Sequence, residues 1–298
     1  MPLQEIESKT ILNKTKRRDP WFLDDYTLNP FSACSFNCLF CYIRGSKYGE
    51  HMENHMAIKS NAVELLDKAL ALKARKKQYG IIVLSSATDP YVKIEEEIKL
   101  TRRLLEVIWA YQFPVHIITR SNLVVRDLDL LQKINRDAIL PHDLEDQLSA
   151  KAIVSFSFST LEDGIAKIFE PGATPPSKRL DAVSAVKASG LKTGIALMPL
   201  LPYISDTSEQ LERIFQTFSS MQVDFLLPAT ITLFGKGKAD SKTLVMKAIR
   251  KHFPVLEAKY ESFFDKSFEM PSYYRRAFDE KMRELALKYD LPNRIVNT

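Results

Sequence analysis

The sequence predicts an α/β fold in which about six strand–helix units form a partial (β/α)6 barrel, open on one side, with a helical C-terminal extension. One observation is a set of short β-branched runs, such as residues 81–84, typical of parallel strands buried on both faces. A second is that amphipathic segments, such as residues 60–78, alternate with these runs until about residue 235. Alternation at this interval favours right-handed βαβ units and a parallel sheet.

Each element is predicted from its own local pattern. Strands are predicted at residues 26–28, 81–84, 115–118, 152–158, 192–197 and 224–227. The helices between them are predicted at residues 60–78, 94–111, 125–135, 162–169, 178–189 and 208–219. Ser60 suits the N-cap of the first helix, because its hydroxyl can accept a hydrogen bond from a free backbone N–H. Gly190 supplies a C-terminal stop, since glycine readily adopts the left-handed conformation.

The chain divides into three predicted regions. Residues 1–25 are polar and form an N-terminal lead-in, in which Asp19-Pro20 would interrupt any helix. Residues 26–234 hold the core barrel, and within it residues 138–150 are predicted to form an acidic surface loop. Residues 235–298 form a helical C-terminal cover, with helices at residues 241–252, 254–268 and 272–289.

The composition is that of a soluble globular protein, with 45% hydrophobic and 27% charged residues among 298. No apolar run is long enough for a membrane span, and the charged N-terminus has no signal-peptide pattern. Three clustered cysteines leave none for a disulfide framework, which predicts a cytoplasmic protein. Lysine and arginine number 42 against 37 acidic residues, a net charge of +5. The basic clusters are scattered along the sequence, so the charge pattern neither predicts nor excludes a nucleic-acid substrate.

The three cysteines of the chain lie close together, as Cys34, Cys38 and Cys41 in the spacing Cys-x3-Cys-x2-Cys. Thiolates are soft ligands that suit Fe–S clusters, zinc or Cu(I). A 4Fe–4S cluster usually takes four thiolates, so three would leave one iron free for a ligand that is not protein. The alternative is a zinc site completed by His51 or His55. Zinc sites, however, usually consist of two closely spaced cysteine pairs, or of one such pair followed by a pair of histidines.

Polar segments follow the predicted strands, where barrels of this class keep their active sites. They are residues 29–30, 85–91 (Ser-Ser-Ala-Thr-Asp-Pro-Tyr), 118–121 (Ile-Thr-Arg-Ser), 155–160, 169–172 (Phe-Glu-Pro-Gly) and 196–202. Together with the cysteine motif, this set resembles the spore-photoproduct-lyase-like branch of the radical S-adenosylmethionine (radical SAM) superfamily. The resemblance covers about residues 29–202 and implies an enzyme that reductively cleaves S-adenosylmethionine at a 4Fe–4S cluster. The 5′-deoxyadenosyl radical would then abstract hydrogen from a substrate.

The resemblance assigns roles to the residues around the cysteine motif. In such enzymes Cys34, Cys38 and Cys41 would hold the cluster, and Phe40 would lie against the adenine of the cofactor. Tyr42 matches a tyrosine implicated in hydrogen-atom transfer in this branch. Packing in the core, with a hydrogen-bonded hydroxyl, is the alternative interpretation of Tyr42.

The resemblance also assigns residues to S-adenosylmethionine itself. Ser86, Thr88 and Asp89 occupy the place where related enzymes bind the amino group of the cofactor. Arg120, where the branch usually has lysine, would bind its carboxylate, with Ser157 adding a hydroxyl contact. The alternatives are that Asp89 caps the helix predicted at residues 94–111 and that Arg120 is a surface cation. Residues 170–172 fit either a structural turn or part of the site.

One departure concerns the final hydrogen-atom donor. The branch's founding enzyme uses a further cysteine, and the matching position here falls at Ser86 or beside it, where an O–H bond is too strong to replace S–H. A nucleic-acid repair or modification reaction is the first prediction, and a radical reaction on a protein or small metabolite is the second. The alternative from another class is a zinc-stabilised nucleic-acid-binding protein without catalysis. An electron donor such as flavodoxin or ferredoxin is the implied partner.

Overall fold

The computed structural model of the chain describes residues 4–45, 56–84 and 87–296. Its strands are β1 (Gln4–Ile6), β2 (Leu12–Lys14), β3 (Tyr26–Leu28), β4 (Phe31–Ser32), β5 (Ala57–Lys59), β6 (Ile82–Leu84), β7 (Val115–Thr119), β8 (Ala152–Phe158), β9 (Lys192–Leu200) and β10 (Phe225–Thr230). Its α-helices are α1 (Ala62–Arg75), α2 (Glu95–Ile98), α3 (Leu100–Ala110), α4 (Leu128–Asp137), α5 (Asp163–Phe169), α6 (Pro176–Ala188), α7 (Ser208–Ser220), α8 (Ser241–His252), α9 (Glu257–Phe263) and α10 (Ser272–Lys288). Short 3-10 helices cover Asn122–Asp127, His142–Leu144 and Pro254–Leu256.

The main sheet, within the described residues, has seven strands in the order β10-β9-β8-β7-β6-β3-β2. The strands from β3 to β10 run parallel and follow their chain order, and β2 pairs antiparallel with β3 at one edge. At least one helix separates each parallel strand from the next. This arrangement confirms the predicted α/β class with a partial (β/α)6 architecture and a helical C-terminal extension. The sheet is open, because β2 and β10 remain as edges.

Alternate residues of the strands face two different cores, as the period of two in a strand requires. Ile82, Leu84 and Val154 pack against the helices in one large hydrophobic cluster. Val83, Ile153 and Leu227 face the concave inner side and belong to a second cluster. Because both faces are buried, the central strands are apolar along most of their length, with β-branched runs such as residues 81–84 among them.

The structure corrects the prediction that residues 138–150 form an acidic surface loop. Leu140, Leu144 and Leu148 are buried and pack with inner-face residues of the strands, joined there by Leu23 and Ile295. They close the end of the inner side where the parallel strands begin. The acidic residues of the segment suggested a solvated loop, while its leucines, spaced by four, form a buried stripe.

Other element boundaries also differ from prediction. The helix predicted at residues 94–111 is divided into α2 and α3, because Lys99 adopts a left-handed φ of 51°. The helix predicted at residues 254–268 contains a 3-10 turn followed by the short α9. Residues 4–14, within the predicted lead-in, contain β1, which pairs with β5, and β2. No helix of the described residues is long and apolar enough to cross a membrane.

Candidate active site

The three cysteines lie on the loop that follows β4, and main-chain hydrogen bonds hold its backbone. The N–H of Leu39 donates to the carbonyl of Phe169 (2.8 Å), and the N–H of Gly172 donates to the carbonyl of Phe36 (2.9 Å). Phe169 ends α5, and Gly172 belongs to the turn after it. The cysteine loop therefore docks on the segment that follows β8.

Gly172 makes this close approach sterically possible. A Cβ atom at this position would lie 2.4 Å from the carbonyl oxygen of Ser35 and 2.9 Å from Cα of Phe36. Contacts this short with backbone atoms would force one of the two segments to move. The turn at residues 170–172 is therefore both a structural turn and the support of the cysteine loop.

Arg44 anchors the far end of the loop. Its buried guanidinium donates through Nε to the carbonyl of Cys38 (3.1 Å) and through Nη1 to the carbonyl of Ala239 (3.1 Å), and a third bond reaches the side chain of Asn37. The planar guanidinium presents several donors in a fixed arrangement, so one side chain can hold several acceptors. Arg44 thereby ties the cysteine loop to the loop before α8.

Asp89 lies at the carboxyl edge of the sheet and bonds to the end of β7. Its Oδ1 accepts hydrogen bonds from the N–H of Tyr91 (2.9 Å) and the hydroxyl of Thr119 (2.7 Å), and its Oδ2 accepts one from the N–H of Arg120 (2.7 Å). Burial raises the pKa of Asp89 to about 6, although these hydrogen bonds oppose the shift. The helix-cap interpretation of Asp89 is wrong, because α2 begins several residues later and this carboxylate bonds elsewhere.

Arg120 extends from the end of β7 across the site. Its Nη1 donates to Oε1 of Glu170 (2.7 Å), its Nη2 donates to the carbonyl of Met198 (2.7 Å), and its Cζ lies 5.3 Å from the ring centroid of Phe40. Burial alone would lower the pKa of Arg120, but the negative groups around it, Glu170 first among them, together outweigh burial and raise the pKa. The surface-cation interpretation of Arg120 is wrong, since the side chain is largely buried and bonded.

Glu170 joins Arg120 to a second guanidinium that sequence reasoning missed. Its Oε1 also accepts from the hydroxyl of Ser159 (2.5 Å), and its Oε2 accepts from Nη2 of Arg179 (2.6 Å). Arg179 comes from α6 and also bonds to the carbonyl of Ser157. Burial would raise the pKa of Glu170, but the two guanidiniums lower it below its usual value. The sequence does not show which basic residue reaches Glu170, because nothing in the pattern of α6 distinguishes Arg179 from a solvent-exposed cation.

The thiols themselves lie in this charged environment. Burial raises the pKa of the Cys34 thiol to about 12 and the pKa of Cys38 well above its usual range. The positive charge of Arg120 partly offsets this effect at Cys38 and at Cys41. Without a positively charged ligand all three groups are therefore neutral thiols at neutral pH.

The comparison with known families shows the superfamily of the chain. Residues 28–217, well over half of the chain, match the Radical SAM superfamily. The chain belongs to the radical SAM superfamily. Membership implies an iron–sulfur cluster and S-adenosylmethionine as cofactors, and a reductant as partner.

Several relatives are similar over two thirds or more of the chain. An uncharacterised protein of Mycobacterium tuberculosis is 23% identical over 273 residues, which are 89% of this chain and 75% of that protein. An uncharacterised protein of Acidianus two-tailed virus is 30% identical over 212 residues, 67% of this chain and 65% of that protein. A radical SAM Nα-GlyT isomerase of Pseudomonas phage M6 is 22% identical, over 69% of this chain and 39% of the isomerase.

Solved structures of spore photoproduct lyase are similar in fold. A cysteine-to-serine mutant of the lyase superposes with a TM-score of 0.64 at 16% identity, over 96% of this chain and 79% of the lyase. A second mutant, with bound AdoMet and dinucleoside spore photoproduct, gives a TM-score of 0.63 at 15% identity, over 96% and 78% of the two chains. At these identities the likeness establishes a shared radical SAM fold.

The donors present fit the cofactors that membership of the radical SAM superfamily implies. Within the described ranges, no three histidine, cysteine or acidic side chains converge as ligands of one metal ion would, whereas cysteines that bind different irons of a cluster need not converge. The hydroxyl oxygen of Thr88 is buried and has no hydrogen-bond partner among the described residues, so it remains available for a polar ligand. His51 and His55, on which the zinc alternative depends, lie outside the described residues.

The remaining predicted residues of the radical SAM site differ in position. Ser157 is buried on the inner face of β8, and Phe40 is buried beside Arg120. Tyr42 is 55% exposed, so its interpretation as a core residue is wrong. Ser86 lies outside the described residues.

Proposed function

We propose that the chain is a radical SAM enzyme whose cluster is held by Cys34, Cys38 and Cys41. When bound, the 4Fe–4S cluster and S-adenosylmethionine supply reductive cleavage to a 5′-deoxyadenosyl radical, which abstracts hydrogen from the substrate. The observation that carries this proposal is that the three cysteines, Asp89 and Arg120 stand together at the carboxyl edge of the parallel sheet. Active sites of parallel-sheet barrels occupy this edge.

The polar residues of the edge suit the amino-acid part of S-adenosylmethionine. Arg120 would bind the cofactor carboxylate with the donors that remain after its bonds to Glu170 and Met198. Arginine can hold one carboxylate while offering a second edge to another, whereas lysine is a single point charge. The hydroxyls of Thr88 and Ser157, the carboxylate of Asp89 and the segment containing Ser86 would complete the polar end of the pocket.

Phe40 and Tyr42 would act on opposite sides of the cysteine loop. The Phe40 ring, buried against Arg120, would support the adenine of the cofactor. Tyr42 is exposed on the same loop, so its phenol could reach a substrate at the mouth of the site. A phenol O–H is much weaker than an alcohol O–H, so Tyr42 would be able to return a hydrogen atom where serine would not.

A nucleic acid is the substrate class that we propose, for repair or modification. Tyr203 lies beyond the carboxyl end of β9 with 43% of its surface exposed. Its ring is stacked on Phe263, with centroids 6.1 Å apart, and meets Tyr274 edge-on at 6.0 Å. The ammonium of Lys259 lies 3.9 Å from the Tyr203 ring centroid. Exposed aromatic rings beside cations stack bases and attract phosphates in proteins that bind unpaired strands. The solved lyase with a dinucleoside ligand supports the same class.

Anaerobic reconstitution with iron and sulfide tests the proposal directly. We expect about four irons per chain, as a 4Fe–4S cluster requires, and formation of 5′-deoxyadenosine from S-adenosylmethionine once a reductant such as flavodoxin or ferredoxin is supplied. The variant Cys38→Ala should lose both the bound iron and the formation of 5′-deoxyadenosine. The matched control Arg75→Ala, at the C-terminal end of α1, should keep both. Stoichiometric zinc without labile sulfide in anaerobically prepared protein would contradict the proposal.

The substrate class is tested by the same assay with added single-stranded and duplex DNA and RNA. A nucleic-acid substrate should increase 5′-deoxyadenosine formation, and Tyr203→Ala should reduce that increase. Stimulation by a peptide or small metabolite alone would favour the second prediction, a radical reaction on one of those substrates. The cell compartment that we propose is the cytoplasm, where reduced carriers and thiols persist.

A further inference from the structure

A groove lies on the surface directly beside the cysteine loop, between α5 and α8. Its volume is about 450 Å³. The floor is apolar and consists of Leu39, Ile168, Leu244 and Ala248. The rim is basic and consists of Lys167, Lys247, Lys251 and His252. We call this surface the α5–α8 groove.

The rim cations are available to a partner. The three rim lysines are exposed, and none of them has an ion-pair partner among the side chains that the structure describes. Glu257 and Glu261 of α9 pair with Arg250, and none of these three residues lines the groove. An apolar centre surrounded by unpaired cations is complementary to an acidic protein surface.

The floor of the groove is continuous with the packing around the cysteines. Leu39 directly follows Cys38, and its N–H is fixed by the carbonyl of Phe169 at the end of α5 (2.8 Å). Cys38, Leu39 and Ile168 all pack against one hydrophobic cluster, which includes Phe40 and Ala248. A partner seated in the groove would therefore be separated from the Cys38 thiol only by side chains of this packed layer.

We propose that the α5–α8 groove is the docking site of the electron donor, an acidic one-electron carrier protein. The inference rests on the proposed function, because it requires a redox centre at the cysteines. One electron leaves the reduced carrier, which is thereby oxidised, and enters the centre held by the cysteines, which is thereby reduced. No covalent bond forms or breaks at the groove. The cations orient the carrier and increase its association rate, while the apolar floor excludes water from the contact.

Charge reversal on the rim tests the docking site, with reduced flavodoxin as the probe. The variant is Lys247→Glu combined with Lys251→Glu, and the matched control is Arg75→Glu combined with Lys76→Glu at the end of α1. We expect the variant to be reduced by flavodoxin at least about tenfold more slowly than the parent at low salt, the scale of electrostatic steering. Reduction by dithionite, a small molecule, should be unchanged in both. Added salt should narrow the difference, because it screens the charges.

Two further outcomes separate this inference from the proposed function. The affinity for oxidised flavodoxin, measured by calorimetry, should fall with the rim variant and not with the control, whether or not the chain carries a cluster. If the chain takes up no iron, the proposed function fails, and the calorimetric result alone decides the docking site. Equal rates and affinities for parent and rim variant would overturn the inference. Loss of oligonucleotide binding in the rim variant, with flavodoxin binding intact, would also overturn it.

Discussion

Glu170 is the carboxylate that holds the guanidiniums of Arg120 and Arg179 together inside the fold, and Glu170→Gln tests what that arrangement contributes. The side chains of Glu170 and Arg179 are fully buried, and Arg120 is nearly so. Glutamine keeps the shape of the side chain but removes the negative charge that the two guanidiniums share. In one orientation of the glutamine amide, its NH2 group would also face the donors of Arg179. Breaking a buried ion pair by removing one partner costs about 3–5 kcal/mol, a large fraction of the stability of an ordinary domain.

Urea unfolding of the protein without cofactors measures this cost. With a slope of about 3 kcal/mol per molar urea, the midpoint should fall by about 1–1.7 M. Adding Arg179→Met should recover part of the loss, because it removes a buried cation that has lost its counter-charge. Glu212→Gln, which changes an exposed carboxylate paired with Lys288, should leave the midpoint unchanged. A Glu170→Gln midpoint equal to that of the parent would refute the reasoning.

The pH dependence gives an independent check of the same carboxylate. The pKa of Glu170 lies below its usual 4.5 in the folded chain, so its contribution is fully present above pH 4.5 and is lost as pH falls through the folded value. The difference in unfolding free energy between parent and Glu170→Gln should therefore be largest near neutral pH and shrink below pH 4.5. A difference that grows on acidification would contradict the direction of this pKa shift.

Three further variants probe the site. Arg120→Ala should weaken S-adenosylmethionine binding by roughly 1.5–3 kcal/mol in an equilibrium titration, with Arg120→Lys less affected; an unchanged affinity would remove Arg120 from the carboxylate site. Gly172→Ala should cost about 1–3 kcal/mol and lower the iron bound after reconstitution, because its Cβ meets the cysteine loop. Gly164→Ala, with open space around the added Cβ, should bind iron as the parent does. Ser86→Cys should raise the yield of any spore-photoproduct repair per 5′-deoxyadenosine formed, whereas efficient coupled repair by the parent would show that the missing cysteine does not matter.

The strands were the most predictable part of the fold. Residues 152–158 form β8 as predicted, because a continuous buried run fits only a strand covered on both faces. The ends of helices and strands were less predictable where they depend on the conformation of a single backbone residue and not on the spacing of hydrophobic residues. Lys99 interrupts a helical pattern without glycine or proline, and the leucines of residues 138–150 are buried by contacts with distant strands.

The site was predictable where chemistry is concentrated in a short motif and unpredictable where it depends on tertiary contact. The cysteine spacing and the order of polar strand ends were sufficient to name the family. Arg179 and the supporting role of Gly172 depend on which segments meet in space, and that information is spread over three separate parts of the chain. A buried glutamate directly after a helix, as Glu170 is after α5, implies that a cation must lie within reach.

The leucine-filled end of the inner side limits how a substrate can be presented. Leu140, Leu144 and Leu148 occupy the end where the parallel strands begin, so under the proposed function ligands would exchange at the opposite, cysteine-bearing end. A polymer therefore cannot be drawn through the fold lengthwise, as through a ring. A strand of nucleic acid would instead lie across the opening and insert one unstacked unit at a time, and the product would have to leave by the route through which the substrate arrived.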